Sequence, residues 1–297
     1  MTTARSNAMD NIVVRRLSFD MQKVAAQNPV WSFTHPLFSI YINALSIHIP
    51  YFERYLVLGM RKVKKQIENQ HLHSDVTKII GQEAHHAKNF IAINQVLAKR
   101  YPEVTKLDID AKAYFKESMG RDSLKKTIGF IAGYETFTFL GGMIILKNYQ
   151  KWMQDAEPVM RSVWVWHQVE EVEHGAVAFD VYKYFYADHE WYRKWMIVRA
   201  FVHVGIETAK AYIPMVRKEG YFKNPLKAAK AIGFFLSFSA QLAFSALPVF
   251  SKKYHPRNHP LANTNQNPLA VSWTNYYSMG EDVLQMDNAD MQKMMEL

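Results

Sequence analysis

Four glutamates occupy positions where hydrocarbon is the rule. Glu53 shares a helical stripe with Ile49, Leu56, Val57 and Met60, and Glu83 shares one with Val76, Ile79, Ile80 and Phe90. Glu135 lies among Ile128, Ile131, Phe139 and Gly142, and Glu171 among Trp164, Gly175 and Ala178. Residues at these spacings fall on one helix face. A carboxylate on a core-facing stripe is costly unless it is paired, protonated or bound to metal. One carboxylate on each of four successive helices calls for a common cation, because the stripes offer too few Lys or Arg partners.

Imidazoles accompany two of the four. Glu83 precedes His86 by three residues, and Glu171 precedes His174 by three. Positions i and i+3 are about 60° apart around a helix, so both side chains reach one point in a bundle centre. His167, Glu171 and His174 follow at i, i+4 and i+7, which adds a third imidazole to that face. His85 points to the outer side. One Glu from each of two helices, with Glu-x-x-His from each of two others, is the ligand pattern of two-metal carboxylate bundles. The predicted metal ligands are Glu53, Glu83, His86, Glu135, His167, Glu171 and His174. Such ligands suit iron or manganese, with zinc as a further option. Glu68-Asn69-Gln70-His71 repeats the spacing in a polar setting and reads as solvated surface. Candidates for orienting the ligands from behind are Glu170, Asp180, Arg199, His203 and Glu207. The last three follow at i, i+4 and i+8, which equally describes a surface ion-pair ladder.

These residues need long helices to carry them, and the punctuation supplies them. The pattern predicts helix over residues 37–70 with a kink or restart at Pro50, then a helix capped by Ser74 that runs to Arg100. Residues 103–122 read as a connection with a short helix at most. Asp122 or Ser123 caps the next helix, to Gln154, and Pro158 opens another that runs to Tyr186. A further helix covers 190–218 and stops at Gly220. The expected fold is all-α, a four-helix bundle with additional C-terminal helices, which the resemblance of the ligand pattern described below makes ferritin-like. The expected organisation is a disordered tail over 1–15, a single helical domain over 16–250 and a polar extension over 251–297 packed on the surface.

Composition narrows the chemistry. The 297 residues contain no cysteine, which excludes disulfides, thiolate metal sites, iron–sulfur clusters and a cysteine nucleophile. The net charge is 36 − 27 = +9. There is no phosphate-binding glycine loop and no recognition-helix signature, so nucleic acid is not an expected partner. MTTARSNAMDN is polar and no apolar stretch follows directly, which reads as no cleavable signal and a cytoplasmic location. Residues 231–250 carry no charge and are flanked by Lys227, Lys230, Lys252 and Lys253. A membrane span, a buried core or dimer-interface helix, and a membrane-surface contact all fit; the soluble pattern around it favours the buried helix. Peripheral membrane contact and a homodimer both stay open.

The ligand pattern resembles the ferritin-like di-iron carboxylate superfamily. The third histidine, in His167-x-x-x-Glu171-x-x-His174, is similar to that of the arylamine N-oxygenases of the p-aminobenzoate N-oxygenase type. The wider sequence more closely resembles a bacterial family described as predicted metal-dependent hydrolases, through Asn28-Pro29-Val30-Trp31, Gln82-Glu83-Ala84-His85-His86, Glu170-Glu171-Val172-Glu173-His174 and Tyr254-His255-Pro256. The superfamily resemblance implies two iron ions, an electron donor, and activation of O₂ to oxidise a hydrophobic or aromatic small molecule. The alternative is hydrolysis at a dinuclear zinc or manganese site, where bound water is acidified. Ligand type and helical placement favour oxidation. The substrate pocket of the N-oxygenases has no recognisable counterpart in this sequence.

Overall fold

The computed structural model describes residues 7–25, 29–262 and 267–296; Asn28 and residues 1–6 lie outside the described set. The described residues are mostly helical. In chain order the helices are α1 (Met21–Ala25), α2 (Pro36–Ser46), α3 (Ile49–Lys64), α4 (Gln70–Arg100), α5 (Glu103–Arg121), α6 (Leu124–Lys147), α7 (Tyr149–Trp152), α8 (Pro158–Glu173), α9 (Val177–Tyr186), α10 (Glu190–Lys218), α11 (Pro225–Ser245), α12 (Pro268–Ser278) and α13 (Asn288–Met295). The only extended pairing among the described residues is an isolated antiparallel bridge, Ser32 to Ala156. The result is an all-α bundle. Helices α3, α4, α6 and α8 form its centre, with α3 against α4 and α6 against α8; α10 covers the far side of α6.

Local chemistry sets the boundaries. Pro50 sits in the first turn of α3, where its missing N–H costs nothing, so the segment restarts there. The cap of α4 is Asn69 and not Ser74: its side-chain oxygen accepts from the Leu72 N–H at 3.0 Å, one turn and more before the predicted start. Ser123 caps α6 by accepting from Lys126 N–H, and α6 stops at Lys147, well short of Gln154. Residues 103–121 form a full helix rather than a connection, anchored by buried Val104, Ala111 and Phe115. Glu157 caps α8 through the N–H groups of Val159 and Met160, with Pro158 in the first turn.

The predicted helix from Pro158 to Tyr186 is broken into two. Helix α8 ends at Glu173, and His174 takes the cap position with φ −100° and ψ 6°, its N–H donating to the Glu170 carbonyl. Gly175 follows. A Cβ there would sit 2.7 Å from Cδ2 and 2.9 Å from Cγ of Phe139, so only glycine lets this corner close against α6.

Both chain ends depart from expectation. Residues 7–15 are packed rather than disordered: Met9 and Ile12 join the core, and Arg15 is 1% exposed. The C-terminal extension contributes α12 and α13, with Trp273, Met286 and Met294 fully buried, so it adds core as well as cover. Helix α11, favoured above as a buried helix, has only 22% of its apolar window buried. Helix α6 passes the same length and composition test for a membrane span, but 83% of it lies inside the protein, as a central bundle helix should.

Candidate metal centre

Seven side chains converge between α3, α4, α6 and α8, and none is more than 3% exposed: Glu53, Glu83, His86, Glu135, His167, Glu171 and His174. All seven are the residues singled out by helical spacing. They divide into two groups able to hold a cation: Glu53, His86, His167 and Glu171 in one, and Glu83, Glu135, Glu171 and His174 in the other. Glu171 belongs to both. Its Oε1 lies 3.0 Å from His167 Nε2 and 3.5 Å from His86 Nδ1, while its Oε2 lies 3.2 Å from His174 Nε2. Glu83 spans the cage in the same way, with Oε1 at 3.0 Å from His174 Nε2 and Oε2 at 3.7 Å from His86 Nδ1. Glu53 and Glu135 stand at the two ends, 3.4 Å from His167 and 3.2 Å from His174.

Most of these close approaches are not hydrogen bonds. Both oxygens of Glu53 and of Glu83, Glu135 Oε2, His86 Nδ1 and His167 Nε2 are buried without a hydrogen-bond partner. Polar atoms gathered around a common point without hydrogen-bond partners fit a bound cation, since each orphaned atom otherwise carries its full desolvation cost. Four carboxylates, when ionised, supply four negative charges for cations to neutralise.

Electrostatics follow the same logic. Burial pushes Glu53 up to about 7 and Glu135 up to about 8. Burial also opposes ionisation of Glu171, but the facing His174 and His167 outweigh it and hold Glu171 well below the usual carboxylate range. Burial disfavours charge on His86 and His174 too; the surrounding carboxylates overcome this and raise both well above the ordinary imidazole value. The cage therefore draws positive charge to itself.

Behind the cage runs a closed loop of polar contacts. His86 Nε2 is 2.9 Å from Glu170 Oε2, and Arg15 donates to Glu170 at 3.1 Å and to Glu173 at 2.7 Å. Gln82 Nε2 donates to Glu173 at 3.0 Å, and Gln82 Oε1 lies 2.9 Å from His174 Nδ1. Each ring thus meets an acceptor on its outer nitrogen and directs the other nitrogen inward, as a ligating imidazole requires. His167 differs. Gln168 Nε2 donates to its Nδ1 at 2.8 Å, which leaves the proton of a neutral ring on Nε2, the atom facing the cage. Ligation through Nε2 needs that amide turned so that its oxygen accepts from Nδ1. Trp164, Trp166 and Phe90 wall the imidazoles at ring-centroid distances between 4.6 and 5.6 Å.

Of the five predicted orienting residues, only Glu170 reaches a ligand. Asp180 pairs with His255 at 2.9 Å, and Glu207 pairs with Lys210 at 2.7 Å. His203 bonds the Tyr134 hydroxyl, and Arg199 is half-buried on the same helix. The reason is the side of α6 that α10 covers. Glu135 faces the cage, whereas Gly133 and Phe137 face α10 through Met196 and Phe201. Spacing missed Arg15, Gln82, Glu173 and Gln168. Three of these, Gln82, Gln168 and Glu173, are adjacent to ligands in the sequence, and of the three glutamates within residues 170–173, Glu170 and Glu173 take their cation from Arg15. His71 is exposed and paired with Asp75, so the Glu68–His71 spacing is indeed surface, and His85 is partly exposed.

A family model described as predicted metal-dependent hydrolase matches residues 13–260. The chain belongs to that family. The matched span takes in the whole cage and the loop from Arg15 to His174 behind it, and the cage contains two groups of residues that could hold a metal ion. No curated protein and no solved structure matches the chain.

Proposed function

We propose that this member of the family is a dinuclear metalloenzyme whose cage holds two iron ions and supports O₂-dependent oxidation of a hydrophobic or aromatic small molecule. The observation that carries this reading is Glu171, whose two carboxylate oxygens each face a different group of ligands. The donor set suits iron or manganese better than zinc. With Glu83 and Glu171 shared, Glu53, His86, His167 and one oxygen of each shared carboxylate would hold one ion, and Glu135, His174 and the other two oxygens would hold the second. The first set offers five oxygen and nitrogen donors, one more than the four that zinc usually takes, and the second offers four. Bound iron would supply the capacity to reduce O₂ with electrons from an external donor. The chain's own residues hold the ligands and keep water out. Glu170 and Gln82 fix two imidazoles, and the indoles of Trp164 and Trp166 exclude solvent.

The second reading is hydrolysis at zinc or manganese, which the family description favours. A hydrolase must deliver water to its metals, and a cage this closed is better suited to keeping water away. Anaerobic loading with ferrous iron separates the readings. Two iron ions per chain, an O₂-dependent optical change, and loss of both in Glu83→Ala and His174→Ala are the expected result. Ester or phosphoester turnover with zinc or manganese, without O₂ consumption, would instead establish the hydrolase.

A further inference from the structure

An exposed surface outside the candidate metal centre is apolar and belongs to α10 and α11. Helix α10 exposes Trp191 (82%), Trp195 (56%), Val198, Val202, Ile206 and Ile213. Their spacings are three, four or seven residues, so they form one outward stripe of about 33 Å. Helix α11 exposes Leu226, Ile232, Leu236 (59%) and Phe244 (71%), and the turn after it exposes Leu247. The two stripes join. Ile213 of α10 and Ile232 and Leu236 of α11 line one groove, while at the other end Arg193 donates to the Val249 carbonyl at 2.9 Å. The helices therefore run antiparallel, and their apolar faces, which adjoin at that groove, form a plate.

We propose that this plate lies in the surface of an anionic phospholipid bilayer, with α10 and α11 parallel to the membrane plane. Charge points to that occupant. No acidic residue occurs between Glu219 and Glu281, whereas six basic ones do: Lys223, Lys227, Lys230, Lys252, Lys253 and Arg257. The lysines at 227, 230, 252 and 253 are exposed at the two ends of α11, where headgroups would meet them. Exposed tryptophans on such a face match the interfacial preference of that side chain. A membrane-spanning arrangement is excluded for α10 by Arg199, Glu207 and Lys210 within it. Helix α11 is pinned flat by its inner side, where Phe238 packs on Tyr41 at 4.6 Å and Tyr212 donates to the Ala231 carbonyl at 3.0 Å. A second copy of the chain fits less well, because lysines stand at both ends of α11 and a twofold pairing in either direction sets basic groups against basic groups.

The test is flotation of the full-length protein with vesicles of phosphatidylcholine alone and of equimolar phosphatidylcholine and phosphatidylglycerol. Binding to the mixed vesicles, weakened by salt and reversed by alkaline carbonate, is expected. Trp195→Glu with Leu236→Glu should weaken it roughly tenfold or more, and Lys227→Glu with Lys230→Glu should remove the preference for anionic lipid. Both pairs are exposed, so an unchanged circular-dichroism spectrum and unchanged metal content confirm that each variant is folded. No flotation overturns the proposal, and a concentration-dependent dimer abolished by the same substitutions would then assign the plate to a second copy. Equal binding to neutral vesicles, or resistance to carbonate, also overturns it, the latter in favour of a spanning helix.

Discussion

Glu171 and Glu53 differ in what their loss should do, although both are buried carboxylates of one cage. Glu171 faces both groups of ligands, so Glu171→Ala should reduce bound metal to well under one ion per chain. Glu53→Ala should leave the Glu83–Glu135–His174 side able to retain about one, read by elemental analysis. Protons compete with those ions. Glu53 and Glu135 carry ordinary values near 4.5 when unfolded but titrate near 7 and 8 in the cage. The folded metal-free protein therefore binds more protons than the unfolded chain between about pH 5 and 8, and its stability should fall as pH rises through that window. Metal affinity should rise over the same window, with proton release seen by calorimetry in buffers of different ionisation enthalpy. Arg15 offers a separate check. It is the cation shared by Glu170 and Glu173, so Arg15→Met leaves two buried carboxylates facing each other and should cost about 3–5 kcal/mol in denaturant unfolding.

At the scale of elements, the corner after α8 is where sequence periodicity and structure part. An uninterrupted helix through His174 would carry the same i, i+3 relation to Glu171, so the ligand pair was legible without the break. The break itself depends on Phe139 of α6 pressing on Gly175, a contact between segments distant in sequence. Gly175→Ala should displace that corner, lower metal occupancy and reduce the melting temperature, while Gly120→Ala, where an added Cβ meets nothing, should change neither. Helix α10 teaches the complementary lesson. Its i, i+4, i+8 series of Arg199, His203 and Glu207 is real, but α10 lies on the side of α6 away from the cage, so spacing within one helix could not tell an orienting residue from a distant one.

For the whole molecule, metal and fold should be one system. A chelator that strips the cage leaves its carboxylates to repel one another, and thermal unfolding should move to lower temperature, with the larger shift at pH 8 than at pH 6. Equal melting with and without metal at both pH values would show that the cage does not bind cations. The amino-acid sequence by itself determined the all-α class and the seven cage residues, because a carboxylate on an apolar stripe betrays its need for a cation wherever the helices go. Tertiary structure alone decided that Arg15, 155 residues before Glu170, closes the loop behind the histidines. It alone decided that α11 faces outward. An apolar run measures how much a segment gains by leaving water, and only packing determines which neighbour, protein or lipid, takes it in.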